Sequence, residues 1–323
     1  MPRTISAFAA VFVCALACAL ASAQAQAAEK LRVGKAVPQA FSFVPLDVGI
    51  RKGFFKDDGV EIEEYAFGGD AKMQQAMTAG SIDIGVGSGP GMAFIVKGAP
   101  VRAVAAMAGP PLILTLIVRP DGAKSVGELK GKKISVSTPG SLTYWLVSET
   151  SRQQGWGPNG IDIAPMGAMG GQIAALERGD IDGVVSDVST ALDLVKLGKA
   201  RILIRFGNIV KDFQVHVIYA TNTLIAARPD AVRGFLKGWF QAIAFMLANK
   251  AETVAIGMDV LQKDADIMNQ TYDELMPMFS KDGRFNQKGL ETLANSWVEL
   301  KILPQAPDLK TLYTEAYLPS AAK

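Results

Sequence analysis

Apolar residues along this chain follow two rhythms. Short runs at Leu31 to Ala36, Val60 to Phe67, Ile82 to Val86 and Val101 to Met107 read as strands. Between them, Pro45 to Arg51, Asp70 to Ala79 and Ser88 to Lys97 have helical spacing. The alternation resumes with strands at Leu112 to Val118, Lys133 to Ser137, Ile161 to Pro165, Ile181 to Ser186 and Arg201 to Phe206, and helices at 142–154, 172–178 and 188–197. One more strand is predicted at Val215 to Tyr219. From Pro229 onward only helical spacing remains, over 231–248, 251–262, 265–276 and 288–300, with a short piece near 309–313. This order predicts an α/β fold with two mostly parallel sheets flanked by helices. The near-continuous apolar runs at 101–107 and 112–118 suit strands covered on both faces, and Gly109-Pro110-Pro111 breaks them apart.

The pattern also repeats, with copies about a hundred residues apart, too long a period for a solenoid or propeller. The stretch from Val33 to Phe43 lines up with Ile134 to Tyr144: an apolar strand, a proline turn (Pro38, Pro139), small residues, then an aromatic that opens a helix. Gly59-Val60-Glu61-Ile62 answers to Gly160-Ile161-Asp162-Ile163, Gly68-Gly69 to Gly170-Gly171, and Gly80-Ser81-Ile82-Asp83 to Gly179-Asp180-Ile181-Asp182. Any α/β chain repeats strand, loop and helix. Three landmarks kept in one order argue for two similar lobes, and two lobes make a cleft suited to a small molecule.

The start of the chain is set apart by composition. Arg3 precedes an uncharged apolar run from Ile5 to Leu20, and small-x-small triplets follow at 21–23, 23–25 and 25–27. This is the layout of a cleaved secretory signal peptide over 1–27, shorter than the ~20 apolar residues of a spanning helix. A periplasmic location is the expectation. Both cysteines, Cys14 and Cys18, fall in that leader, so the rest of the chain contains none. With 33 basic against 31 acidic residues, nothing in the charge points to a nucleic-acid or anionic-membrane partner. No cofactor is expected, and a monomer is.

Loops that follow parallel strands gather at the strands' carboxyl ends, where helix N-termini turn unpaired N–H groups toward a ligand. Six such loops carry small polar residues: Gln39 to Ser42, Gly68-Gly69-Asp70 and Ser88-Gly89 in the first half, then Pro139 to Thr143, Gly170-Gly171-Gln172 and Ser186-Asp187 in the second. Turn and cap chemistry accounts for each loop alone; their paired placement suggests a ligand clamp. Asp70 and Asp187 each precede a helix, so capping comes first for both, with a ligand N–H or cation as the second role. Phe41, Phe43, Tyr144 and Trp145 offer flat apolar surface, and helical spacing sends at least two of the four into the core.

Catalytic readings are poorly supplied. The single histidine, His216, lies in an apolar strand and reads as structural; with no mature cysteine, a zinc or iron site of the usual kind is excluded. Gly85 to Pro90 approaches a dinucleotide fingerprint but places Pro90 where the third glycine belongs. There is no Gly-x-Ser-x-Gly elbow.

Three further stretches carry a resemblance. They are Arg51-Lys52-Gly53-Phe54-Phe55-Lys56-Asp57-Asp58-Gly59-Val60-Glu61-Ile62 after Pro45, Gln75 to Gly85, and Leu129 to Val136 followed by Thr138-Pro139-Gly140-Ser141. Together they resemble the periplasmic substrate-binding proteins of the nitrate, sulfonate and taurine class of ABC importers, within the thiamine-pyrimidine-synthase-like superfamily, over essentially Leu31 to Leu318. The resemblance implies a two-lobe periplasmic-binding-protein fold of type II, with two sheets joined by a two-strand hinge. It implies a receptor that hands a small solute to a membrane permease and its ATPase. Family pockets lie between the lobes, which implicates Gln39, Phe41, Ser42, Gly69, Asp70, Ser88, Gly89, Ser141, Thr143, Gly170 and Asp187. Lobe one is expected to comprise 28–108 and 220–323, with the C-terminal helices on its outer surface, and lobe two 109–219. Crossings are expected at 109–118 and 207–219, with Gly109, Pro110, Gly207 and Tyr219 as hinge positions. An organic anion such as a sulfonate is the favoured solute; the alternatives are a planar heteroaromatic bearing N–H groups, a sensory role, or an enzyme on the same scaffold.

Overall fold

The computed structural model describes residues 29–110 and 114–320, so the expected leader lies outside the described residues. The first sheet contains β1 (Glu29–Lys35), β2 (Val60–Ala66), β3 (Ile84–Ser88), β4 (Val101–Ala108) and β10 (His216–Thr221), in the order β2-β1-β3-β10-β4. The second contains β5 (Leu114–Val118), β6 (Lys133–Val136), β7 (Asp162–Pro165), β8 (Gly183–Asp187) and β9 (Arg201–Arg205), in the order β7-β6-β8-β5-β9. The two orders are one pattern. β1 and β6 are each flanked by two parallel partners, and the strand in fourth place, β10 or β5, runs antiparallel to both neighbours. The sequence repeat is therefore a repeat of whole sheets, each completed by a strand next to a crossing.

Both crossings are shorter than the sequence suggested. Residues 114–118 already belong to the second sheet and 216–219 to the first, which leaves 109–113 and 206–215 between them. Tyr219 is accordingly no hinge residue. It is fully buried in mid-strand, paired with Gly85 on one side and Ala103 on the other. Its apolar neighbours Val217 and Ile218 mark a strand in the core, and that strand runs on past Tyr219 to Thr221.

Helices cover the sheets in chain order: α1 (Val44–Lys52), α2 (Phe54–Asp57), α3 (Asp70–Thr78), α4 (Ala93–Val96), α5 (Leu142–Gln153), α6 (Met169–Arg178), α7 (Val188–Lys196), α8 (Asn222–Ala227), α9 (Pro229–Ala248), α10 (Lys250–Leu261), α11 (Ala265–Leu275) and α12 (Gln287–Glu299). The long α9 packs on α1 and α2, where Phe55 stacks on Phe235 with ring centroids 5.2 Å apart. Glycine makes that approach possible: a Cβ on Gly238 would lie 2.6 Å from the Phe55 ring. The C-terminal helices were expected from sequence to pack on lobe one, but they also reach lobe two. α11 packs on α7 of the second lobe, with Lys196 bonded to Asp264 at 2.8 Å and Lys263 to Asp193 at 2.5 Å. α12 reaches Trp145 through Glu299 at 2.9 Å. Among the described residues no helix is long and apolar enough to cross a membrane.

Candidate functional site

The carboxyl ends of β1, β2 and β3, and of their counterparts β6, β7 and β8, each run into a loop that opens a helix or a 3-10 turn. All six stretches singled out from sequence lie at or just beyond these ends. How their side chains are used differs from loop to loop.

After β1, Gln39 is exposed in a turn, whereas Phe41 and Ser42 are fully buried. Phe41 faces Phe279 with centroids 6.1 Å apart, so a C-terminal segment covers it. That packing places these two residues in the core. Phe43 and Trp145 are buried as well, leaving Tyr144 the least enclosed of the four aromatics.

After β2, Gly69 is the N-cap of α3 at φ 123°, a backbone setting that only glycine adopts without strain. Asp70 is not a cap. It is the first helical residue, and its carboxylate accepts hydrogen bonds from the Ser88 backbone N–H at 3.0 and 3.1 Å and from the Ser88 hydroxyl. Ser88, at the end of β3, is held from behind too, where the Tyr219 hydroxyl donates to its carbonyl at 2.5 Å. The Gly89 amide is already used, donating to Val215 at 2.8 Å.

In the second lobe the hydroxyls form one chain. Ser141 caps α5 by accepting from Tyr144 N–H at 3.2 Å, and Thr143 Oγ1 lies 2.9 Å from Ser141 Oγ and 3.0 Å from Ser137 Oγ. Ser137, a residue the sequence reading did not single out, follows β6 directly and donates its N–H to Thr143 at 3.1 Å. Gly170 and Gly171 are not a loop but the first turn of α6, capped at Ala168, and a Cβ on either would touch nothing within 4 Å. Asp187 is a true N-cap: it accepts from Thr190 N–H at 3.0 Å, Thr190 Oγ1 at 2.8 Å and Ser189 Oγ at 2.5 Å. At the crossings, Gly109 donates its N–H to Met278 at 3.0 Å, exposed Pro110 follows it, and the Gly207 carbonyl accepts from Lys211 at 3.1 Å.

Electrostatically the two lobes are unequal. Neither α5 nor α6 has an acidic residue in its first turn, so their positive ends are uncompensated. In lobe one α1 carries Asp47 and α3 carries Asp70. Asp47 is paired with Lys35 at 3.1 Å. Burial pushes the Asp70 carboxyl from 3.8 up to about 6, against the pull of its Ser88 hydrogen bonds. His216, opposite Ser88 in the β10–β3 register, sets its ring edge-on to Phe43 at 5.3 Å and is pushed down to about 3 by burial, so it stays neutral. Among the described residues no group of three or more His, Cys, Asp or Glu is placed to hold a metal ion.

The raised carboxyl has a consequence for stability. Between about pH 4 and pH 6 the folded chain binds a proton at Asp70 that the unfolded chain has lost, so this group's contribution falls as pH rises through that window. Asp70→Asn is expected to be more stable than the parent above about pH 6, by about 1–3 kcal/mol, with the gap closing toward pH 4. Thermal melts across that range check it; a gap independent of pH would show that the carboxyl is not the source.

A separate cavity of about 320 Å³ lies between α5, the 206–215 crossing and α12, lined by Trp145, Glu149, Arg152, Ile209, Asp212 and Glu299 among others. None of the predicted site residues lines it.

The sequence profile of the family described as NMT1/THI5 like matches residues 40–253. This chain belongs to that family. No curated protein matches it by sequence. Among solved structures, a protein from Bordetella bronchiseptica RB50 is 23% identical at a TM-score of 0.75, covering 89% of this chain and 95% of its own. The alkanesulfonate-binding protein SsuA from Xanthomonas axonopodis pv. citri, bound to MOPS, is 18% identical at 0.76, covering 88% and 98%. The desulfurization enzyme DszB in complex with biphenyl-2-sulfinic acid is 15% identical at 0.67, covering 90% and 97%. These likenesses give the fold, that of the periplasmic binding proteins. The family match ends within α10, so the segments that cover Phe41 and clasp lobe two lie beyond it.

Proposed function

We propose that this protein is an extracytoplasmic receptor that binds a small organic solute between its lobes and delivers it to an ABC permease and its ATPase. One observation carries the reading: two sheets of matching order direct six helix-opening loops from the carboxyl ends of their strands, and short crossings join them. A solute touching both sets of loops favours the closed arrangement in proportion to the contacts made only there. The solute class we favour is an organic anion, sulfonate-like, because α5 presents hydroxyls and both α5 and α6 have uncompensated helix starts. The leader of residues 1–27 supports export to the periplasm, and the protein is read as a monomer. Catalysis is not part of the proposal, and the chain's single histidine, buried and neutral, offers no base for it.

The reading predicts that a fitting solute raises stability by ~2.7 kcal/mol at a hundredfold excess over Kd. It also predicts a smaller radius of gyration in X-ray scattering. Thermal-shift screening against sulfonates, carboxylates, amino acids and pyrimidines, followed by scattering on the hits, tests both. A folded protein silent to the whole panel, or a bound solute that leaves the scattering unchanged, overturns the reading.

A further inference from the structure

Four shielded carboxylates are matched by cations. Asp47 lies against Lys35, Asp58 against Lys237, Asp83 against Arg32 and Glu149 against Arg152. Asp70 has no cation within 4 Å among the described residues; the Ser88 N–H and hydroxyl are its partners. Charged neighbours do not make up the difference. Lys35 at the end of β1 is taken by Asp47 and Glu64, Lys72 on α3 is exposed, and His216 on β10 is neutral. Tyr219 on β10 spends its proton on the Ser88 carbonyl. One turn along the same face of α3, the fully buried Gln74 amide has no hydrogen-bond partner at either atom. A carboxylate shielded without a counter-charge is costly to keep ionised. Asp70 is held at the carboxyl end of β3, and the acid at the matching end of β8, Asp187, is spent on capping.

Resting on the receptor reading above, we propose that Asp70 is the specificity-determining residue of the cleft: it takes a cationic or N–H-bearing group of the solute, while the solute's acidic group lies on the α5 and α6 starts of lobe two. The solute is then bipolar, with a fixed orientation across the lobes, and an anion without a donor leaves Asp70 unmatched.

Calorimetry on the mature protein with matched probes tests this: propanoate against β-alanine, and butanesulfonate against its ω-amino analogue. The amino member of a pair is expected to bind about tenfold tighter or more, the worth of one charge-assisted hydrogen bond. Asp70→Asn is expected to erase that ratio. An independent readout needs no variant. Binding of the amino member near pH 6, where burial places the Asp70 titration, should release protons, seen as a buffer-dependent heat that vanishes by about pH 8. Tighter binding of the donor-free members, proton uptake, or an unchanged ratio in Asp70→Asn overturns the assignment and leaves the receptor reading standing. Failure of every probe and of the wider solute panel overturns both.

Discussion

Alanine in place of Gly89 is expected to destabilise the protein by about 3 kcal/mol or more and to abolish solute binding with it. A Cβ there would overlap the Gln214 carbonyl oxygen, and would lie 3.0 Å from its carbonyl carbon and 3.3 Å from Leu293. Overpacking is tolerated when the obstacle is the end of a flexible side chain, but here it is backbone fastened on several sides. Gln214 donates its N–H to Gly289 at 3.2 Å, and its side-chain amide donates to Ala108 at 3.0 Å and His216 at 2.8 Å. Moving it drags the crossing, the start of β10 and α12 together. Gly170→Ala is the control, because its added methyl meets nothing within 4 Å in the first turn of α6. Its stability is expected to stay within about 1 kcal/mol of the parent, on the stabilising side if anything. Urea unfolding of both variants decides the matter, and equal midpoints would show that the β3 end can yield.

Much of this architecture is legible in the sequence. Strand and helix bounds read from apolar spacing agree with the structure to within about three residues at nearly every element, because caps and left-handed glycines such as Gly80 and Gly179 punctuate them locally. The repeat foretold the matching sheets, since Val33 to Phe43 and Ile134 to Tyr144 fall on β1 and β6 with their following loops. Harder to see was anything fixed by distant partners. β5 and β10 are apolar runs like their parallel neighbours, and their reversed direction comes from the crossings beside them. Phe41 and Ser42 have the composition of a pocket loop, yet Phe279, far along the chain, buries them. Asp70 precedes apolar helical residues as a cap does, but its carboxylate reaches Ser88, eighteen residues away, instead of the helix it opens. The short α8 went unread because Thr221 caps it directly at the end of β10, with no loop between.

The other large effect is expected at Trp145. Trp145→Ala should cost about 3–5 kcal/mol and weaken solute binding as well, whereas Trp145→Phe should cost about 1 kcal/mol. The indole stacks on Phe213 of the 206–215 crossing with centroids 4.9 Å apart, and its Nε1–H donates to Glu299 of α12 at 2.9 Å. Phenylalanine keeps most of the stack and frees an exposed carboxylate that water can satisfy. Alanine removes the contact that seats α5 against the crossing, and α5 is the helix whose first turn holds Ser141 and Thr143. Trp145 N–H closes that turn on the Ser141 carbonyl at 3.0 Å, so the Ser141 and Thr143 hydroxyls and the strut at the crossing lie one helical turn apart. Their positions are therefore coupled through backbone. Loss of stability with unchanged affinity in the fraction still folded would separate the two roles. Loss of both, with Trp145→Phe close to the parent, would show that the ring which braces the crossing also sets the lobe-two face of the cleft.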